Sequence, residues 1–238
     1  MSQFFGEGNS PVAPSALRVD IKPLMRTVYL WMSLGLLTTA GVALWVNSNP
    51  TLMNLRLNRG IFLGAVIAEL AVVVVLTMAI RRLSPTAAGV MFFAYSALTG
   101  FTLSIIFVVY SLGTISMAFF ATSATFAAMT VLGYTTDVDL SQYRSYLMMG
   151  LIGLLIAMVV NMLLGSSTLD LVISLFGVGI FTVLTAYDTQ KIKRWAADPT
   201  IAADGNLLMK VSIIGALNLY LDFINIFIFL LRLMGRRR

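Results

Sequence analysis

Two aspartates sit in stretches otherwise built of apolar residues: Asp188 in Thr185-Ala186-Tyr187-Asp188-Thr189-Gln190, and Asp222 in Leu219-Tyr220-Leu221-Asp222-Phe223-Ile224-Asn225. An ionised carboxylate at membrane depth costs about 2.5 to 3.5 kcal/mol on insertion scales, so an intramembrane acid points to function by default. Gly215, Asn218, Asp222 and Asn225 follow one another at intervals of 3, 4 and 3 residues, which sets them on one helical face. Leu, Ile, Phe and Tyr fill the other faces. Such a stripe must face protein or water, not lipid. Asparagines on it can act as hydrogen-bonding glue between helices, but glue explains an acid poorly. Asp188 also has a plainer reading, as a solvated aspartate at the membrane interface with Lys191 three residues on.

If the two carboxylates meet in a poorly solvated site, both cannot ionise cheaply, and the pair shares a proton and titrates as a unit. A neighbouring arginine would compete for the ionised form and act as an electrostatic latch. Arg81 and Arg82 end the second apolar run, on the same side as the end of the run before Asp188, so an Asp–Asp–Arg cluster is permitted. Asp222 lies ~18 Å from the far end of its run, so helix tilt must bring the pair level. Glu69 is a third intramembrane acid, either hydrogen-bonded in place or lining a cation pathway with Asp222, Asn218 and Asn225. Arg81, twelve residues on, is too distant to pair with it along a helix. Asp137 and Asp139, ahead of Arg144, read as a solvated loop.

The chain holds no Cys and no His. Disulfides, zinc or haem ligation through those residues, and hydrolases with a histidine base are therefore ruled out. A pH response near neutrality falls to carboxylates. No cofactor is expected and no residue set is assigned to a resident metal. Oxygen ligands suit a hard cation such as calcium as a permeant ion.

These residues must be held by membrane helices. Hydrophobic residues make up 59% of the 238 and charged residues 11%, against about 25% charged in soluble domains; mean hydropathy is +0.92. Apolar runs cover 27–46, 61–80, 87–110, 115–136, 146–164, 169–187 and 207–233, and a span needs about 20 residues. The expectation is an all-α integral membrane protein with seven transmembrane helices over 23–238, after a flexible tail at 1–22 that does not resemble a signal peptide. The last run is the most polar, and seven spans would set the Arg-rich C-terminus outside, against the positive-inside rule, so a six-span form with a re-entrant end stays open.

With the N-terminus cytoplasmic, ten of the 16 Lys and Arg residues fall on the inner side and six on the outer, as the positive-inside rule favours. The net charge of +6 is spread over the ends of apolar runs, with a terminal Arg236-Arg237-Arg238 cluster. It reads as membrane anchoring and orientation, with no nucleic acid partner. Gly150, Gly153 and Ala157 permit close helix packing on the fifth span.

Thr185-Ala186-Tyr187-Asp188-Thr189-Gln190-Lys191, together with Leu219-Tyr220-Leu221-Asp222-Phe223-Ile224-Asn225-Ile226-Phe227 and the closing Leu230-Leu231-Arg232, resembles the signature of the Bax inhibitor-1 family. Tyr95-Ser96-Ala97-Leu98-Thr99-Gly100 fits as well, and the likeness covers about residues 20–238. The chain looks most like a bacterial inner-membrane member. The resemblance implies seven helices with the last one central, wrapped by the other six. It implies a pH-sensitive calcium leak whose two-aspartate sensor matches Asp188 and Asp222, with the family's glutamate at Glu69 and its latch arginine at Arg81 or Arg82. The link between the aspartates is longer here, with 196–205 added.

Two other readings compete with a leak. An intramembrane aspartyl protease also sets a Tyr-Asp on one helix and an Asp on the next, but its Gly-x-Gly-Asp and Pro-Ala-Leu patterns are absent here, so no enzymatic activity is expected. A non-conducting regulator that binds other membrane proteins, such as membrane proteases or cell-death and stress factors, is the alternative. Partners on either reading are the lipid bilayer and, for the leak, calcium or other cations.

Overall fold

The computed structural model describes residues 21–235. The expected tail over 1–22, apart from Ile21 and Lys22, and the Arg236-Arg237-Arg238 cluster lie outside the described residues. The chain runs through α1 (Lys22–Ser48), α2 (Pro50–Leu57), α3 (Arg59–Ala79), α4 (Pro85–Leu103), α5 (Ile106–Val109) and α6 (Leu112–Thr135). A 3-10 turn at Leu140–Tyr143 then leads into α7 (Arg144–Leu164), α8 (Ser167–Ala196), α9 (Pro199–Ala203) and α10 (Gly205–Met234). No strand occurs among the described residues.

Short polar residues set the helix starts, as expected where the first N–H groups need acceptors. Asn49 Oδ1 accepts from the N–H groups of Thr51 and Leu52 at 3.0 and 3.3 Å, with Pro50 at the first helical position. Asn58, Ser84, Ser111, Ser166 and Asp204 cap α3, α4, α6, α8 and α10 in the same way. Because Ser111 is already the cap, Leu112 and Gly113 belong to α6, and the connection is tighter than a four-residue turn. α7 stops at Gly165, whose φ of 64° is left-handed and suits a residue without Cβ.

Among the described residues, seven segments are long and apolar enough to cross a bilayer: α1, α3, α4 with α5, α6, the 3-10 turn with α7, α8, and α10. The protein is an all-α membrane protein. α10 is one unbroken helix of 30 residues, ~45 Å long, so it has the length of a full crossing and does not turn back. Much of the outer surface is apolar: Met78, Met162 and Leu163 are about four-fifths exposed, as lipid-facing side chains are.

The helices are not equally enclosed. α3 and α7 bury little of themselves, whereas α10 buries the most. The main neighbours of α10 are α8, α1, α6 and α4; α3 leans chiefly on α4, and α7 on α8. The core runs along α10 through Leu217, Leu219, Tyr220 and Ile226, all fully buried.

Candidate functional site

α8 and α10 share the largest helix–helix interface. They are antiparallel, since Arg232 in the last turn of α10 reaches Asp170 in the first turn of α8 at 3.5 Å. That interface sets the two aspartates against each other near the C-terminal end of α8. Asp188 Oδ1 accepts from Asn218 Nδ2 of α10 at 3.3 Å and from Lys191 Nζ at 3.2 Å. Asp222, one turn beyond Asn218 on the same face, is 3% exposed, and its Oδ2 has no hydrogen-bond partner among the described residues. Both carboxylates line one cavity of about 240 Å³ and interact electrostatically.

The plainer reading of Asp188 is half right. Its lysine partner is present, yet the residue is buried, only 8% exposed. Burying two acids together is costly unless a proton or a countercharge compensates. The basic groups facing this cavity are Lys191 and Arg144. Lys191 is further fixed by aromatic faces, with Nζ 4.9 Å from the Trp195 ring centre and 5.9 Å from that of Tyr187.

Arg81 and Arg82 are not brought to the pair. Both are exposed in the turn after α3, and the carbonyl of Arg81 accepts from Lys210 Nζ at 3.3 Å. The reason is packing: α3 lies against α4, outside the α8–α10 interface. In this arrangement the countercharges at the cavity are Lys191 of α8 and Arg144 of α7.

Glu69 is also separate from the pair. Its Oε1 accepts from the Thr102 hydroxyl at 2.7 Å, and the Thr102 carbonyl accepts from Arg56 Nε at 3.0 Å. Asn218 joins the aspartate cavity, but Asn225 spends its amide on the Leu221 carbonyl of its own helix at 2.8 Å. Tyr220, two residues before Asp222, points the other way; its hydroxyl meets Thr39 Oγ1 at 2.7 Å. Among the described residues no three acidic side chains converge on a metal-binding arrangement.

The Asp188 motif also does structural work that the sequence reading did not find. Gln190 clamps the α6–α7 connection, donating to the Val138 carbonyl at 2.7 Å and accepting from Leu140 N–H at 2.8 Å. Asp139 in that connection pairs with Arg194 at 2.9 Å in water. Its carboxyl is held below the usual range first by the Ser141 backbone N–H and then by the Ser141 hydroxyl. Asp198, before α9, is lowered likewise by the Thr200 hydroxyl and N–H. Arg56, Thr102 and Gln190 are polar residues of ordinary kinds. Only Asn49-Pro50 and Asn58, which cap α2 and α3, gave a local signal that a helix would carry Arg56.

Comparison with known proteins supplies the remaining findings. The family model described as inhibitor of apoptosis-promoting Bax1 matches residues 22–238. Inner membrane protein YbhL of Escherichia coli (strain K12) is 44% identical over 235 residues, covering 98% of this chain and 99% of that protein. An uncharacterized protein of Borreliella burgdorferi is 42% identical over 212 residues, 89% of this chain and 90% of its own length. One from Deinococcus radiodurans is 42% identical over 219 residues, 92% of each chain.

Proposed function

Because this chain belongs to the Bax inhibitor-1 family, we propose that it is a pH-sensitive calcium or cation leak channel of the bacterial inner membrane, gated by proton sharing between Asp188 and Asp222. The observation that carries this reading is the Asp222 carboxylate: almost fully buried, with one oxygen unpartnered, in the cavity that also holds Asp188. A proton held between the two removes the repulsion across α8 and α10; its loss restores a second negative charge, which among the described residues Lys191 and Arg144 face across the cavity. The charge state of the pair thus biases how α8 and α10 pack. Lys191 takes the latch role in this arrangement, and Arg81 or Arg82 would take it only after α3 moves. We read the chain as having no enzymatic activity and no resident cofactor, calcium being cargo.

One observation favours a second reading. Glu69 does not line the cavity that holds Asp222, which suits a non-conducting regulator that binds other membrane proteins. The deciding measurement is calcium flux into liposomes containing the purified protein, between about pH 5 and pH 8, with Asp188→Asn and Asp222→Asn alongside. The leak reading expects a pH-dependent flux that either substitution flattens. Flux no higher than in empty liposomes across that range sinks it and leaves the regulator, for which the double substitution should leave partner binding intact.

A further inference from the structure

Away from the aspartate pair, on the rim where α10 ends, the protein holds a second cavity of about 580 Å³. Arg232 on this rim forms an ion pair with the first turn of α8, whereas Asp188 lies near the other end of that helix, so the two cavities face opposite sides of the bundle. Among the described residues, Arg56 and Arg232 are the charged ones that line it; the walls are largely apolar, with Phe62, Val66 and Ile228 among them, beside Tyr110.

Arg56 is 7% exposed although it belongs to the short connecting helix α2. Its Nε donates to the Thr102 carbonyl and its guanidinium lies 4.1 Å over the Phe62 ring. Among the described residues that is its one side-chain hydrogen bond, so both terminal nitrogens keep their donors uncommitted. Glu69 is its electrostatic neighbour but makes no ion pair with it, and Thr102 stands between the two. Arg232 is 3.5 Å from Asp170 Oδ1, longer than the roughly 2.7–2.9 Å of a charge-assisted hydrogen bond. A sequestered guanidinium with spare donors calls for an acceptor, and its planar fork suits the oxygens of a phosphate.

The walls narrow the choice of phosphate. α3 packs chiefly on α4 and is not a main neighbour of α10, yet both helices line the cavity, so its apolar walls are built from membrane-spanning helices. A free anion would leave the apolar walls unused, whereas a lipid uses both. We propose that this cavity binds an anionic glycerophospholipid, its phosphate between Arg56 and Arg232 and one acyl chain along Val66 and Ile228.

The test is native mass spectrometry of the purified full chain, with thermal midpoints measured in parallel, in phosphatidylglycerol, phosphatidylcholine or inorganic phosphate. The expected result is retained phosphatidylglycerol and a raised midpoint, with occupancy falling about tenfold or more in the Arg56→Gln/Arg232→Gln double variant. Arg59→Gln, an exposed charge on the same rim, should leave occupancy unchanged. Undiminished retention by the double variant, an equal loss in Arg59→Gln, or equal retention of phosphatidylcholine overturns the proposal. Stabilisation by inorganic phosphate alone does so too, since the site is then for a free anion. If Arg56→Gln fails to fold, Arg232→Gln alone decides, and unchanged occupancy there also overturns it.

Discussion

Asp139 stands in water beside Arg194, while Asp222 stands inside the bundle beside another acid, and the same side chain serves different ends in the two places. For Asp139, hydrogen bonds from Ser141 favour the ionised form, so its folded carboxyl titrates below the ordinary 3.8. A depressed value of this kind contributes stability that is complete above the unfolded value and is lost as pH falls through the folded one. The contribution is small, because the group is exposed. Tryptophan fluorescence of the solubilised protein against pH should show an acid limb below about pH 4 that Asp139→Asn diminishes. The same variant should leave the flux response between about pH 5 and pH 8 intact, since that response is assigned to the buried pair. A change in that response in Asp139→Asn would take the sensor away from Asp188 and Asp222.

Between elements, the closest approach depends on particular glycines, more than on the series whose spacing draws the eye. Gly150 and Gly153 form a small-residue series on α7, yet a methyl group at Gly153 would meet nothing within 4 Å. Gly133 of α6 instead lies against the backbone of Ala186 on α8, where an added Cβ would come to 2.8 Å from the Ala186 Cα and nearer still to its carbonyl oxygen. Backbone cannot swing aside as a side chain can, so α6 and α8 would have to separate beside the aspartate motif. Gly133→Ala should destabilise by about 1–3 kcal/mol. Gly153→Ala should be neutral or stabilising by up to about 1 kcal/mol, since alanine is the better helix former. Thermal midpoints in one detergent check both; equal losses would mean that the α6–α8 contact is not the tight one. Gly100, whose Cβ would lie 2.6 Å from the Thr39 carbonyl oxygen, ties α4 to α1 in the same way.

For the whole molecule, the distribution of basic residues predicts which rim faces the cytoplasm. The connection between α6 and α7, with Arg144, Lys191 and Arg194 around it, should be cytoplasmic, and the α1–α3 connection should face the opposite side. The chain has no cysteine, so single cysteines report cleanly. A membrane-impermeant maleimide should label Asn47→Cys from outside the inner membrane, and Val138→Cys only after that membrane is opened. The reverse pattern would invert the topology, and with it the side from which the aspartate cavity is approached.

The membrane character, the seven spans and the two aspartates were legible in the sequence because lipid imposes its demand on each segment separately. A run long and apolar enough to span carries that information without reference to its neighbours. Helix caps are local in the same sense, since Asn49-Pro50 and Ser111 act within one turn. What faces what was decided only in three dimensions. Lys191 stands at Asp188, and Arg81 and Arg82 stay outside, because α3 packs on α4 and not on α8. Glu69 pairs with Thr102 across helices that the sequence sets 33 residues apart. Arg56 is sequestered because α2 folds onto the end of α4. Composition cannot distinguish these outcomes, since each depends on which helix a neighbour chooses and not on the residues of the segment itself.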